Sequence, residues 1–171
     1  MIEILNVIKF IFPFAALLLF FMLYRTNGKR MINFCVGMLV FKQNRNFYTK
    51  ILFLVLLNFN WCCYMTDPNL ATLVAASFLY PLMSFRLSDV VLNRLHENKI
   101  SFFITLLVSM VCYAVPDFYA VSVFLFVLAL AAQFYPTRAA LKLCDSYKFT
   151  KGLWGEEHDR KVAALIFQLY Y

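Results

Sequence analysis

The chain has 171 residues, of which 63% are hydrophobic and only 15% are charged, and its mean hydropathy is +0.73. Soluble domains contain roughly 45–50% apolar and about 25% charged residues, so this composition excludes an ordinary soluble domain and predicts an all-α integral membrane protein. The net charge of +7 raises the alternative of nucleic-acid binding. Because the basic residues stand in short clusters between apolar runs, without a nucleic-acid-binding motif, no such partner is expected.

Five apolar runs approach the length of a membrane helix, which is about 20 residues. They cover residues 5–24, 48–66, 70–85, 100–115 and 118–135. In the first run, Lys9 near one end is expected to extend its ammonium towards lipid headgroups, and Pro13 is expected to kink the helix. Glu3 and the lack of a small-x-small cleavage site favour a retained span over a signal peptide.

Two short turn-forming segments join four of these runs into antiparallel hairpins. Asp67-Pro68-Asn69 separates the second run from the third, and Pro116-Asp117 separates the fourth from the fifth. The predicted domain is therefore a single membrane bundle over residues 1–135, made of one amino-terminal span and two helical hairpins.

The charged residues of the connecting segments predict the orientation, because cytoplasmic loops collect Lys and Arg. The hairpin tips carry only Asp67 and Asp117, whereas the first connection is purely basic, with Arg25, Lys29, Arg30, Lys42, Arg45 and Lys50. The connection between the hairpins is also basic, with Arg86, Arg94 and Lys99. We expect an inner-membrane protein of bacterial type with its amino terminus outside and its carboxy terminus in the cytoplasm.

Residues 31–41 are apolar but too short for a span, and basic residues flank them on both sides. This pattern is typical of an interfacial or re-entrant segment. A crossing here would move Lys42, Arg45 and Lys50 to the outer side, against the charge rule. The chain turns polar after residue 135, which predicts a cytoplasmic tail over 136–171 with Trp154 in it and a short surface helix near 162–167.

The two hairpins share a few pairs of residues, which raises the hypothesis of a duplication. At an offset of 49 residues, Lys50-Ile51 matches Lys99-Ile100 and Cys63-Tyr64 matches Cys112-Tyr113; Tyr80-Pro81 later resembles Tyr135-Pro136. Chance identity in a chain of biased composition is the alternative.

The middles of the five runs contain no charged residue, which argues against proton relays and ion-coupled transport. Their amides Asn58, Asn60 and Gln133 are candidate interhelical hydrogen-bonding groups, and lining of a polar cavity is the alternative. Arg25, Lys29, Arg30, Lys42, Arg45, Arg94 and Trp154 are the candidate cytoplasmic interaction residues.

No catalytic or metal-binding pattern stands out. His96 and His158 lack a second ligand at a metal-binding spacing, and the five cysteines suggest apolar packing, with a bridge from Cys62 or Cys63 to Cys112 as an alternative. No metal and no cofactor are expected. Asp89, Arg94, His96 and Glu97 are interpreted as the polar side of an amphipathic surface helix.

These observations favour a small non-enzymatic accessory or protective protein that acts through helix or lipid contacts in the membrane, with a protein partner or self-association. Examples are exclusion of phage or plasmid DNA and immunity to a pore-forming toxin. A transporter or channel subunit is the second hypothesis. A membrane enzyme that acts on lipid-linked substrates, with Asp89, His96 or Glu97 in proton transfer, is the third.

Overall fold

The computed structural model describes residues 2–25 and 28–150 and is all-helical over these ranges, with eight α-helices and no strand. The helices are α1 (Ile2–Arg25), α2 (Gly28–Val40), α3 (Lys42–Thr66), α4 (Leu70–Leu82), α5 (Phe85–Glu97), α6 (Lys99–Tyr113), α7 (Tyr119–Ala132) and α8 (Arg138–Thr150). A 3-10 turn, Pro116–Phe118, leads into α7. The predicted all-α class is confirmed for the described residues.

Helix α7 is the centre of the bundle. It packs against α1, α3, α4, α5 and α6, and nine of its 14 residues are buried. A helix that is apolar on all sides is expected to be surrounded by other helices or by lipid. Here its neighbours form one core, to which α3 contributes Phe53, Leu56 and Phe59 and α4 contributes Leu79.

Helix α1 lies on the outside of the bundle and contacts it through one stripe. Leu5, Lys9, Phe12, Ala16 and Phe20 are half-buried, at the spacing of one helical face, while most of the remaining side chains are exposed. Phe12 stacks on Phe59 of α3 with ring centroids 4.3 Å apart, and Phe20 stacks on Phe134 at 5.2 Å. Phe20 also lies beside Tyr48 near the start of α3, and Lys9 contacts Tyr119 at the start of α7, so α1 runs antiparallel to α3 and parallel to α7.

The acidic hairpin tips and the basic connecting segments lie at opposite ends of this bundle. The two hairpin tips meet at one end, where Asn69 caps the first turn of α4 through the backbone N–H of Thr72 and also donates its amide to the carbonyl of Asp117 at 3.2 Å. At the other end, the ammonium of Lys42 lies 5.8 Å from the ring centroid of Phe85. The tips, which hold Asp67 and Asp117, form the acidic end, and the opposite end is the basic end.

Two helices are long and apolar enough to cross a membrane by length and composition, namely α1 over Glu3–Met22 and α3 over Lys42–Thr66. A third crossing arises if α4 and α5, which meet at an angle of 104°, count as one broken span. Helices α6 and α7 are apolar but have only 15 and 14 residues. Five crossings remain a prediction.

The helix bounds differ from the predicted spans by a few residues, and the differences at the start of α3 and the end of α4 have a physical reason. Helix α3 begins at Lys42, six residues before the predicted start, because a helix can continue past the apolar core into the polar interface. The run predicted over 70–85 ends as a helix at Leu82, one residue after Pro81. The chain then bends, and the amphipathic helix expected around Asp89 follows as α5.

The short apolar segment 31–41 forms α2, which packs against α3 and also against α8. Val36, Leu39 and Val40 of α2 form a second, smaller apolar cluster with Ala140 and Cys144 of α8. Helix α8 was not predicted within the polar tail. The hydroxyl of Thr137 caps it by accepting from the N–H of Ala140 at 3.2 Å.

The residue pairs that suggested a duplication occupy partly different positions. Cys63 and Cys112 both lie in the last turn of the first helix of their hairpin. Pro81, however, lies inside α4, whereas Pro136 follows the end of α7. Over the described residues, no disulfide joins Cys62, Cys63 or Cys112.

Pro13 leaves a backbone carbonyl of α1 free to bond to α7 near the acidic end of the bundle. Proline has no N–H, so the carbonyl of Lys9, four residues earlier, loses its helical partner. The hydroxyl of Tyr119 donates to that carbonyl at 2.9 Å, and the Lys9 ammonium lies 5.4 Å from the Tyr119 ring centroid. The ammonium of Lys9 thus contacts the Tyr119 ring, and the backbone carbonyl of Lys9 accepts a hydrogen bond from the Tyr119 hydroxyl.

We expect Tyr119→Phe to lower the free energy of unfolding by about 1 kcal/mol, because it leaves the Lys9 carbonyl without a donor. In a Pro13→Ala background the same substitution is expected to have a smaller effect, since the restored N–H supplies the missing bond. Unfolding of the four proteins in mixed micelles measures this coupling. Equal losses in both backgrounds would contradict the assignment.

Candidate functional site

Polar side chains from two helices, α3 and α5, converge on the carboxyl end of α7, at the basic end of the bundle. The last carbonyls of a helix lack partners within it. The hydroxyl of Tyr48 donates to the Ala131 carbonyl at 2.9 Å, and Nδ1 of His96 lies 2.9 Å from the Ala132 carbonyl. A carbonyl only accepts, so Nδ1 of His96 carries the proton in this contact. Helices α3 and α5 are thereby both attached to the end of α7.

The carboxylates of α5 take part in the same junction. Asp89 accepts a hydrogen bond of 2.5 Å from the hydroxyl of Tyr135, which is fully buried just after α7. Glu97 accepts from the backbone N–H of Arg138, at the start of α8, also at 2.5 Å. These contacts give Asp89, His96 and Glu97 a role in joining α5 to the segment around the end of α7.

Burial makes His96 a source of pH dependence. Desolvation lowers its pKa below the ordinary value of 6.5, against the smaller opposite effects of the Ala132 carbonyl and of Glu97. The folded protein therefore resists protonation that the unfolded chain accepts as the pH falls through about 6.5. The free energy of unfolding is therefore expected to decrease as the pH falls.

We expect the midpoint of thermal unfolding to be lower at pH 5.5 than at pH 7.5, by an amount on the order of a few degrees. His96→Gln should reduce this difference, because the amide does not titrate. His158 is present in both proteins, so the comparison isolates His96. An unchanged difference in the variant would show that other groups cause it.

A second polar junction lies where α2 turns back into α3. The guanidinium of Arg45 donates through Nη1 to the carbonyls of Met38 and Leu39, at 2.9 and 3.3 Å, which are among the last carbonyls of α2. Nε of Arg45 is buried without a hydrogen-bond partner. Beside it, the amide of Asn44 donates to the Gly37 carbonyl at 3.2 Å, and a Cβ at position 37 would lie 3.1 Å from that amide nitrogen. Glycine at position 37 therefore permits the close approach of α2 and α3.

The three amides singled out from the sequence lie in different surroundings. Asn60 is buried and donates to the Thr72 carbonyl at 3.1 Å, which joins α3 to α4 near the acidic end. Asn58 is exposed and donates to the Leu54 carbonyl of its own helix, and Gln133 is exposed at the carboxyl end of α7. Asn60 and Gln133 lie towards opposite ends of the bundle, so the structure does not bring the three together.

Among the basic candidates, Arg45 is half-buried in the α2–α3 junction, while Lys42 and Arg94 are exposed. Arg25 ends α1, and Lys29 and Arg30 lie in the first turn of α2. Trp154 and the helix expected near 162–167 lie outside the described residues.

Other chemistry is limited in the described part of the chain. Burial raises the pKa of the Cys35 thiol to about 11, so this side chain stays protonated at neutral pH. No group of three or more His, Cys, Asp or Glu side chains suited to a metal ion occurs among the residues that the structure describes.

Three of the cavities beside the bundle are lined entirely by residues that the structure describes. The α1–α7 groove, of about 290 Å³, lies between α1, α6 and α7 and is lined by Phe14, Met110 and Phe126 among others. The α1–α3 groove, of about 330 Å³, lies on the other side of α1 and has only apolar surface apart from the tyrosine at its end. The third cavity, of about 340 Å³, lies at the α2–α3 junction. It shares Phe34, Tyr48 and Ile51 with the α1–α3 groove and is therefore adjacent to it.

Several of the residues that hold these sites together were not predicted from the sequence, and three of them are tyrosines. Tyr48, Tyr119 and Tyr135 each bring a hydroxyl into an apolar run, and a buried hydroxyl requires a partner. The pairing of Ser109 with Ser122 was not predicted either: each hydroxyl donates to the other residue's carbonyl, at 3.0 and 2.8 Å, across α6 and α7. Comparison with protein-family models, curated proteins and solved structures finds no match to this chain.

Proposed function

We propose that the chain is a multi-pass membrane protein that acts by lateral contact with a transmembrane helix of another protein, in an accessory or protective role. Five crossings place the acidic end outside and the basic end in the cytoplasm of a bacterial-type inner membrane. Exclusion of phage or plasmid DNA and immunity to a pore-forming toxin are activities of this kind. The proposal rests on how the charges, the polar groups and the grooves are distributed.

The separation of charge along the bundle supports the five crossings. The hairpin tips with Asp67 and Asp117 meet at one end, and the basic connections lie at the other, as the charge rule requires. Helices α4, α6 and α7 are each about 20 Å long, shorter than a hydrocarbon core of about 30 Å. Local thinning of the bilayer accommodates such helices at a modest cost.

The α1–α7 groove is the observation that carries the functional part of the proposal. Its floor is closed by the reciprocal Ser109 and Ser122 bonds, so polar groups there join helices of this chain and are not available to a solute. Its walls are large apolar side chains of α1 and α6, with Met110 being 74% exposed. An apolar groove with small residues at its base accommodates a helix by van der Waals contact, which is the main source of helix association in lipid.

A reporter fusion series tests the crossings. Fusions after Asp67 and Asp117 are expected to report an outside location, and fusions after Arg30, Lys50, Lys99 and Tyr171 a cytoplasmic one. An outside signal after Lys50 would overturn the five-span arrangement and make α2 a crossing.

A challenge experiment tests the protective role. Cells that express the protein are exposed to phages, conjugative donors and pore-forming toxins, and survival or transfer is compared with that of cells without it. Met110→Trp fills the groove and is expected to abolish protection, whereas Leu107→Trp, equally peripheral on α6 but outside the groove, is expected to keep it. Absence of protection by the unsubstituted protein against every challenger would refute the role.

A further inference from the structure

An exposed face runs along most of α3 and carries a regular pattern. Among its exposed residues, six follow one another at alternating spacings of four and three, namely Phe47, Ile51, Leu54, Asn58, Trp61 and Met65. This is the heptad spacing of a coiled coil, in which the a and d positions meet a partner helix. Positions 51, 58 and 65 are then the a positions, and positions 47, 54 and 61 are the d positions. These six residues are called the α3 seam.

The α3 seam is the midline of the exposed face and not its edge. The residues that flank it are Leu57 and Tyr64 on one side and Val55 and Cys62 on the other. These four residues are at most 40% exposed, whereas the five apolar residues of the seam are 46–66% exposed. The opposite face of α3 is buried in the core of the bundle. Helix α3 therefore has one face for the bundle and a second face with the pattern of a helix–helix contact.

Asn58 lies in the middle of the seam and brings an amide into it. The amide donates to the Leu54 carbonyl of its own helix at 2.9 Å, which uses one of its two N–H groups and leaves Oδ1 as an acceptor. Asn58 lies about 12 Å before the end of α3 at a rise of about 1.5 Å per residue, so in the proposed membrane setting it is within the hydrocarbon. Lipid chains offer this amide neither a donor nor an acceptor. A polar group on another helix accounts for it better.

From this arrangement we propose that the protein forms a parallel homodimer through the α3 seam, in which the Asn58 amides of the two copies are hydrogen-bonded to each other. All copies enter the membrane in the same orientation, so a symmetric pair brings the two α3 helices together in parallel. Each seam residue then lies next to its own counterpart. An amide is both a donor and an acceptor, so it is complementary to itself across the two-fold axis.

The residue types along the seam favour two copies of this chain. Ile51 at an a position with Leu54 at the next d position is the combination that favours two-stranded coiled coils. A single Asn at an a position also fixes the register, because a shifted pairing would place both amides against apolar side chains. Membrane helices commonly pack with the left-handed crossing that such a seam requires.

The dimer and the α1–α7 groove use different surfaces. The groove lies between α1, α6 and α7, and none of the seam residues lines it. The groove therefore stays open to another protein when two copies pair through α3. The inference rests on the membrane setting proposed above but not on the protective role.

Förster resonance energy transfer between labelled copies in liposomes tests the dimer. Full-length protein labelled at its carboxy terminus is reconstituted in dioleoylphosphatidylcholine over a range of protein-to-lipid ratios, and photobleaching steps count the copies in each complex. We expect a dimer whose dissociation constant rises about tenfold in Asn58→Leu. Monomers at every ratio would overturn the proposal, because the seam would then face lipid or another protein. Complexes of more than two copies would also overturn it.

Two matched pairs of variants locate the interface. Ser77 is exposed on α4 and donates to the carbonyl four residues earlier at 3.0 Å, as Asn58 does on α3, so Ser77→Leu should leave the dissociation constant unchanged. Leu54 and Leu73 are 54% and 53% exposed, but Leu73 lies on α4 outside the seam. Leu54→Ala should weaken the dimer at least about threefold through lost packing, and Leu73→Ala should not. Equal effects within either pair would overturn the seam as the interface.

Asn58→Gln separates the hydrogen bond from the shape of the side chain. It keeps an amide in the seam, so its dissociation constant should stay within about threefold of that of the unsubstituted protein. A loss as large as that of Asn58→Leu would overturn the amide pairing. Leu54→Ala leaves Asn58 and the core untouched, so it tests the seam even where Asn58→Leu impairs insertion. The liposomes contain no challenger, so a negative challenge experiment refutes the protective role and leaves the dimer result unaffected.

Discussion

Tyr135→Phe is expected to lower the free energy of unfolding by about 2 kcal/mol, although it removes a single oxygen atom. The hydroxyl donates to Asp89, and a hydrogen bond to a charged group contributes more than one between neutral groups. Tyr135 is fully buried, so water cannot replace the lost bond from its side. The half-buried carboxylate of Asp89 would lose its donor at the place where α5 meets the end of α7.

The sequence provides a matched control, because Tyr80-Pro81 is the same dipeptide as Tyr135-Pro136. Tyr80 is 80% exposed, so Tyr80→Phe is expected to change stability by less than about 0.5 kcal/mol. Asp89→Asn keeps the shape and an acceptor oxygen, and its loss should be smaller than that of Tyr135→Phe. Unfolding by sodium dodecyl sulfate in mixed micelles measures all three. Equal losses for Tyr135→Phe and Tyr80→Phe would show that the hydrogen bond between Tyr135 and Asp89 does not stabilise the fold.

Hydropathy and turn residues were sufficient to predict the elements that depend on local sequence. The tips at Asp67-Pro68-Asn69 and Pro116-Asp117 separate helices at the predicted places, because proline next to aspartate or asparagine favours a turn through local backbone geometry and hydrogen bonds. The amphipathic helix around Asp89 was also predicted, since its polar and apolar residues alternate with the helical period.

The break after Leu82 could not be located in the same way. The apolar run continues through Met83 to Phe85, so hydropathy alone predicts one element where the structure has two. What ends α4 is the combination of Pro81 with the fit of α5 against α3, α6 and α7. Such contacts between distant segments are not encoded in a local window.

The groups that hold the candidate sites together were hidden for the same reason. Asn60 was recognised as a polar residue within a span, but its partner is a backbone carbonyl of α4. The role of Tyr119 follows only once α1 and α7 are known to be adjacent, even though Pro13 marks the carbonyl that needs a donor. A sequence shows which groups require partners, and the fold determines where those partners are.

Phe53→Ala is the substitution with the largest expected loss, about 3 kcal/mol. Phe53 lies in the middle of α3, has no exposed surface and belongs to the core with Leu56, Phe59 and Val127. In water, truncating such a side chain costs both the transfer of its apolar surface and the cavity left behind. In the proposed membrane setting the unfolded helices remain in lipid, so the transfer contribution is small and the cavity dominates. This places the expected loss at the low end of the range for buried phenylalanine.

Phe103→Ala serves as the control, because Phe103 lies on α6 with 67% of its surface exposed and its removal opens no cavity. Its effect is expected to stay below about 0.5 kcal/mol in mixed micelles. A third variant tests the proposed membrane setting. If the bundle lies in a bilayer, the loss of stability for Phe53→Ala comes mainly from the cavity that it leaves. Phe53→Leu fills most of this cavity and should therefore lose less than half as much stability as Phe53→Ala. If Phe103→Ala were as damaging as Phe53→Ala, the outward face of α6 would have to be buried against another chain, and the arrangement of α6 as a lipid-facing helix would be wrong.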